Sequence, residues 1–272
     1  MIMMRTLIAT GACALGTLAP AAATAQSVPD DQWRFQAILY GYFPTVGGST
    51  TFPHGNGADV SVDANTLLKN LQGVFMGMFE ASRGGWGTYT DIMYMDIGNS
   101  KSQTRDISVG GSQIPVDAAA SLDFNLKGWV WTIAGTYQAV ASPQGSLQVL
   151  AGARLLDAKQ TLNFQLQGNI GSIPLPGRQG NLEAKLSNWD GIVGVKGRLV
   201  LGDEREWFVP YYVDVGTGQS DLTWQGIGGL GYSFHWGDIV AAWRYLGYNM
   251  KSGSKIDTLN FNGPAVGVAF RW

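Results

Sequence analysis

From Trp33 to Trp272, large apolar side chains recur at every second position, in runs broken by Gly, Pro, Asp and Ser. "WRFQAILYGYF" is the first run. Trp33, Phe35, Ala37, Leu39, Gly41 and Phe43 share one face; Arg34, Gln36, Ile38, Tyr40 and Tyr42 share the other. "GVFMGMFEA", "WGTYTDIMYM", "FNLKGWVWTIAGTY", "LQVLAGARLL", "NWDGIVGVKGRL", "FVPYYVDVG", "LTWQGIGGLGYSF", "DIVAAWRYLGY" and the terminal "GPAVGVAFRW" repeat the pattern. A period of two is that of a strand whose two faces meet different surroundings. Each run is near the roughly 9–11 residues of a tilted membrane strand.

The connections alternate in kind. "RGGW", "ASPQG", "GDEREW" and "HWGD" have the composition of tight hairpin turns. Residues 44–72, 97–122 and 166–182, and the shorter 217–221 and 251–258, form the other set. Short turns on one side and long loops on the other predict an all-β, closed antiparallel transmembrane barrel, with short periplasmic turns and longer extracellular loops. About ten strands are expected, with eight or twelve as alternatives. "KQTLNFQLQG" and "NLEAKLSN" also alternate and predict strand extensions above the membrane; "NTLLKNL" predicts a short helix in the first long loop.

Composition narrows the choice. Hydrophobic residues make up 45% of the chain and charged ones 14%, with 38 glycines. No later stretch is long and apolar enough for a membrane helix, which needs about 18 residues. The hydrophobicity is therefore spread by alternation, and in lipid a sheet satisfies its backbone only by closing on itself. A soluble sandwich would carry charge on its outer faces. Here the outward sets hold Phe75, Phe79, Val130, Val149, Trp189, Val193, Val195, Tyr211, Val213, Trp224, Leu230, Tyr232, Ile239, Trp243 and Tyr245. Trp33, Trp86, Trp207, Trp236 and Trp272 fall near the short-turn side, where an interfacial aromatic girdle belongs.

The N-terminus predicts export. Arg5 supplies a positive start, an apolar small-residue run follows, and Ala23-Thr24-Ala25 precedes Gln26 as a cleavage site. Residues 1–25 are read as a signal peptide, 26–32 as a flexible leader and 33–272 as the barrel. Cys13, the single cysteine, leaves with the signal, so disulfide and thiolate chemistry are excluded from the mature chain. Net charge is −2, which gives no basis for nucleic-acid binding.

The inward sets carry the charge: Arg34, Glu80, Asp91, Lys127, Arg154, Asp190, Lys196, Asp214, Arg244 and Arg271. Unpaired charges in a narrow lumen are too costly to persist. The expected network joins Arg154 to Asp190 and Asp214 to Arg244 at mid-barrel, with a second layer of Arg34, Glu80 and Arg271 nearer the periplasm. Such a network would plug a ten-stranded interior; the alternative is a narrow polar channel or binding site for a small solute. A rim hydrolase is the third reading, centred on His54 near Asp59 and Asp63; Ser233 near His235 falls on the short-turn side, the wrong leaflet for lipopolysaccharide chemistry. "GIGGLG" at Gly226–Gly231 has the dinucleotide spacing but is followed by strand, turn and strand rather than helix, so no nucleotide cofactor is expected. Asp59, Asp63, Asp96, Asp106, Asp117 and Asp123 match no calcium loop, and no metal or other cofactor is expected.

The terminal strand, with Phe270 and Trp272 on its apolar face, resembles the C-terminal strand of bacterial outer-membrane barrels, which usually ends on Phe. That resemblance implies recognition by the barrel-assembly machinery. "LYGYFP", "TDIMYMDI", "SDLTWQGIGGLGYSF" and "WRYLGYNM" resemble a family of uncharacterised proteobacterial outer-membrane proteins. The resemblance covers most of the mature chain and implies location in the outer membrane, in contact with its lipid and lipopolysaccharide. It carries no known activity, and the sequence leaves the oligomeric state open.

Overall fold

A computed structural model describes residues 32–50, 58–62, 64–102, 108–109, 112–113, 119–167, 169–170, 173–174, 178–254 and 256–272. The expected signal peptide, Cys13, most of the leader, His54, Asp63, Asp106 and Asp117 lie outside the described residues. Among the described residues ten strands build the barrel: β1 (Arg34–Tyr42), β2 (Leu71–Arg83), β3 (Trp86–Ser102), β4 (Ala119–Ser142), β5 (Gly145–Gln167), β6 (Arg178–Leu201), β7 (Trp207–Gly218), β8 (Ser220–Ser233), β9 (Asp238–Met250) and β10 (Ile256–Arg271). Each pairs antiparallel with its neighbour in sequence. β1 also pairs with β10, from Gln36 opposite Arg271 to Tyr42 opposite Ala265, and this closes the barrel.

The turns follow from their residues. Gly84 and Gly85 both have positive φ, as the two central positions of a type I′ hairpin require. Pro143 and Gln144 join β4 to β5, again by two residues between paired ends. At the other end the first long connection folds into a hairpin, Thr45–Thr50 with Ala58–Val62, and then the expected short helix, Ala64–Lys69. The hairpin's first strand continues the line of β1 along β10.

Two aromatic belts mark the outer surface. Trp33, Trp86, Trp207, Trp236 and Trp272 are exposed beside the short turns, with Tyr137 and Phe270 among them. Phe75, Trp129, Trp189, Trp224 and Trp243 form the second belt. From Trp129 to Tyr137 the strand climbs about 20 Å, at ~3.3 Å per residue and a tilt of roughly 40°. Val193, Val195, Val213, Leu230, Ile239 and Val266 stand exposed between the belts.

The strands are unequal. β4, β5 and β6 have 24, 23 and 24 residues, against 12, 14 and 13 for β7, β8 and β9. The surplus of β4–β6 stands above the second belt as a wall about 30 Å long at ~3.3 Å per residue, and β3 pairs along its lower part as far as Ser102. Much of 97–122 and 166–182, expected as loop, is therefore strand, because alternation persists beyond the apolar band. The wall begins where "KQTLNFQLQG" and "NLEAKLSN" place it. On it, Lys159 and Lys185 each lie 3.1 Å from the Glu183 carboxylate. Their hydrogen bonds, that of Lys159 foremost, hold the Glu183 carboxyl below the usual range.

Candidate functional site: the filled lumen

Inward parity sets what occupies the lumen. Asp91, Arg154, Asp190, Asp214 and Arg244 are all buried, at 1% exposure or less. The arginines anchor two networks. Arg154 Nη1 donates to Asp214 Oδ1 at 2.9 Å, and Nη2 donates to the other carboxylate oxygen, a bidentate pair. Arg154 Nε donates to Thr132 Oγ1 at 3.1 Å, and Tyr212 Oη donates to Asp214 Oδ2 at 2.5 Å. In the second network Arg244 Nη2 donates to Asp91 Oδ2 and to Gln225 Oε1, each at 2.8 Å. Arg244 Nη1 donates to Tyr40 Oη at 2.8 Å, and Tyr40 Oη donates to Asp91 Oδ1 at 2.6 Å. Such charge-assisted, multiply bonded pairs offset the cost of burying ions.

These partners differ from those expected. Arg154 and Asp190 stand opposite each other in register, yet the guanidinium reaches past β6 to Asp214 on β7, and Asp190 Oδ1 instead accepts the Ser220 amide at 2.7 Å. Arg244 on β9 reaches Asp91 on β3, across the interior rather than along the wall. Long side chains in a narrow barrel meet across it, and tilt brings different residue numbers to one height. In the lower layer Glu80 pairs with Lys196, and Arg271 with Asp238, rather than with each other. Arg34 is exposed, and no ion pair reaches it among the described residues.

Lys127 and Val130 face opposite to expectation. Val130 is buried in the lumen, while Lys127, 57% exposed, lies outside and donates to Asp96 Oδ2 at 2.8 Å. Rings too large for the interior decide the parity of β4. Trp129, Ile133 and Tyr137 turn outward, leaving Val130, Thr132, Ala134 and Thr136 inward. The Trp-x-Trp-x-Ile spacing in this strand carried that signal.

Several participants escaped the sequence reading: Tyr40, Thr132, Tyr212, Thr223, Gln225 and Asp238. Tyr40 and Tyr212 lie at inward parity, which was their one visible mark. An apolar compartment above the charged layer was also missed: Met76, Met93, Met95, Ile97, Leu156, Leu246 and Phe261 belong to one buried cluster. "GIGGLG" is strand in β8, and a Cβ on Gly231 would lie 2.2 Å from the Phe208 ring, so glycine there makes room for an aromatic neighbour. His235 is exposed in a turn, and no hydrogen bond joins it to Ser233 among the described residues. Among the same residues no group of three His, Cys, Asp or Glu is placed to hold a metal.

No protein-family model matches the chain, and no curated protein matches it. Solved structures similar to it include the translocator domain of the autotransporter NalP from Neisseria meningitidis (17% identity, 88% of each chain covered, TM-score 0.41). The outer membrane protease OmpT from Escherichia coli shares 10% identity over 89% of this chain and 97% of its own, with a TM-score of 0.44. Ail, the attachment invasion locus protein of Yersinia pestis, shares 13% over 89% and 99%, with a TM-score of 0.34.

Proposed function

We propose that the chain is an outer-membrane β-barrel with a sealed lumen, serving a structural or surface-contact role rather than conduction or catalysis. The carrying observation is the mid-barrel layer in which two fully buried arginines are each tied to a carboxylate and further hydrogen-bonding groups. Ions traversing the lumen would have to break these pairs, and separating a buried pair costs roughly 3–5 kcal/mol. The apolar surface between two aromatic belts supports immersion in lipid, since a water-facing barrel would expose no such band. On this reading the short turns face the periplasm and the β4–β6 wall projects outward as the contact surface. Residues 1–25 direct export, and Phe270 and Trp272 present the terminal strand to the assembly machinery.

Conductance in planar bilayers tests the seal. The wild-type protein should insert without stable channel openings, and Arg244→Ala should admit small ones. Steady ion conductance by the wild type, lost rather than gained in variants of the network, would favour the narrow-channel reading.

A further inference from the structure

Below the arginine layer, the inward charges at the short-turn end do not balance. Arg34 on β1, Lys196 and Arg198 on β6 and Arg271 on β10 face Glu80 on β2 and Asp238 on β9. Four cations thus meet two carboxylates among the described residues. The surplus lies at the mouth of the barrel rather than in its packed interior. Arg198 stands opposite Ser146 and Pro210, Asp238 opposite Ser233 and Ala269, and Arg271 opposite Gln36, all near the short turns.

Two of the four cations are engaged. Lys196 pairs with Glu80 and stands 4.4 Å from the centre of the Tyr89 ring; Arg271 Nη2 donates to Asp238 Oδ1. The other two are not. Arg198 Nη1 lies 3.9 Å from Asp238 Oδ2, beyond hydrogen-bond reach, and its guanidinium is 5.5 Å from the Phe208 ring centre. Among the described residues neither Arg198 nor Arg34 donates a hydrogen bond. Arg34 shares the face of Gln36 and lies two residues nearer the mouth, so it is diagonal to Arg271, within reach of long side chains. The Arg198 and Arg271 side chains are each 39% exposed, while the Asp238 carboxylate they share is 4% exposed. The guanidinium groups therefore open to water around a carboxylate set into the wall, and a ligand there needs no internal cavity.

We propose that this mouth binds a phosphate dianion between Arg198 and Arg271, with Arg34 as a third donor. The planar guanidinium fork matches phosphate oxygens two at a time, which an ammonium does not. A phosphate monoester carries about two negative charges near neutral pH, enough to cancel the surplus. Asp238 is a positioning residue: it fixes Arg271 through one oxygen and draws Arg198 towards the other. Held around a single carboxylate, the two guanidinium groups repel each other until an anion enters between them. A rim of one predominant sign also concentrates anions at the opening. The phosphate comes either from solution or from a monoester headgroup in the adjoining leaflet.

The site goes beyond the structural role proposed above, and only the side it faces rests on the membrane reading. Its test keeps the two apart. The protein is placed in phosphatidylcholine nanodiscs, and resistance of its folded band to SDS without heating reports the barrel itself. Inorganic phosphate is titrated in by calorimetry at about 0.15 M salt, where exposed charges more than roughly 8 Å apart are largely screened. Binding should saturate at one per barrel. Arg198→Gln should weaken it at least tenfold and Arg34→Gln at least threefold. Arg198→Lys, which keeps the charge but loses the fork, should recover only part of the loss. Lys127→Gln, on the outer face, should change nothing. Phosphatidic acid added to the discs distinguishes the sources: competition with inorganic phosphate indicates a lipid headgroup, and unchanged binding indicates a soluble phosphate. Asp30→Asn with Asp31→Asn should bind as the wild type does. Binding that appears only in that variant would mean that the acidic leader fills the mouth, and would overturn the proposal. So would the absence of saturable binding by an SDS-resistant barrel, or equal binding by wild type and the arginine variants; either leaves the barrel reading intact.

Discussion

At the scale of single residues, the account turns on arginines that have lost their water. Arg244→Met leaves Asp91 buried without its cation, and this should cost roughly 3–5 kcal/mol. Adding Asp91→Leu removes the stranded charge and should recover most of that loss. Urea unfolding in lipid vesicles checks both; equal stability of wild type and Arg244→Met would remove the pair from the core. Gly231→Ala drives a methyl group into the Phe208 ring and should destabilise by about 1–3 kcal/mol in the same assay. Lys127→Ala should leave the unfolding midpoint unchanged, because this lysine stands exposed on the outer face. A large loss there would return Lys127 to the lumen. Parity made Asp91, Arg154, Asp190, Asp214 and Arg244 legible in the sequence as lumen residues. Their partners were not legible, because parity gives the direction of a side chain but not which residue faces it across a tilted barrel.

At the scale of strands, alternation located all ten and the turns between them, and "RGGW" specified its hairpin through two glycines. What alternation could not show was where membrane ends and wall begins, since both parts of β4–β6 keep a period of two. The difference lies in the environment of the strand rather than in its conformation. On the proposed reading, backbone hydrogen bonds above the outer belt face water, and those below lie between lipid and the lumen side chains. Amide hydrogen exchange along β5 in nanodiscs should therefore show strong protection from Leu147 to Leu156 and markedly faster exchange from Lys159 to Gln167. Uniform protection along the whole strand would mean that the wall is packed against something, in lipid or in an oligomer.

At the scale of the whole molecule, the proposed function sorts three surroundings: hydrocarbon outside, a sealed interior, and water beyond the belts. The composition, apolar yet without apolar runs, already required a closed sheet; the filling of the interior emerged only from the structure. Nitroxide scanning of β7, one cysteine at a time from Trp207 to Gly218 in lipid bilayers, reads all three surroundings in one measurement. The account predicts a period of two: oxygen, which concentrates in hydrocarbon, reaches Tyr211, Val213 and Val215, while neither oxygen nor a water-soluble nickel reagent reaches Tyr212 and Asp214. Nickel reagent reaching Tyr212 and Asp214 would reveal a wet pore in place of a seal. The same reagent reaching Tyr211, Val213 and Val215 would show that the outer face meets water and would contradict the membrane barrel itself.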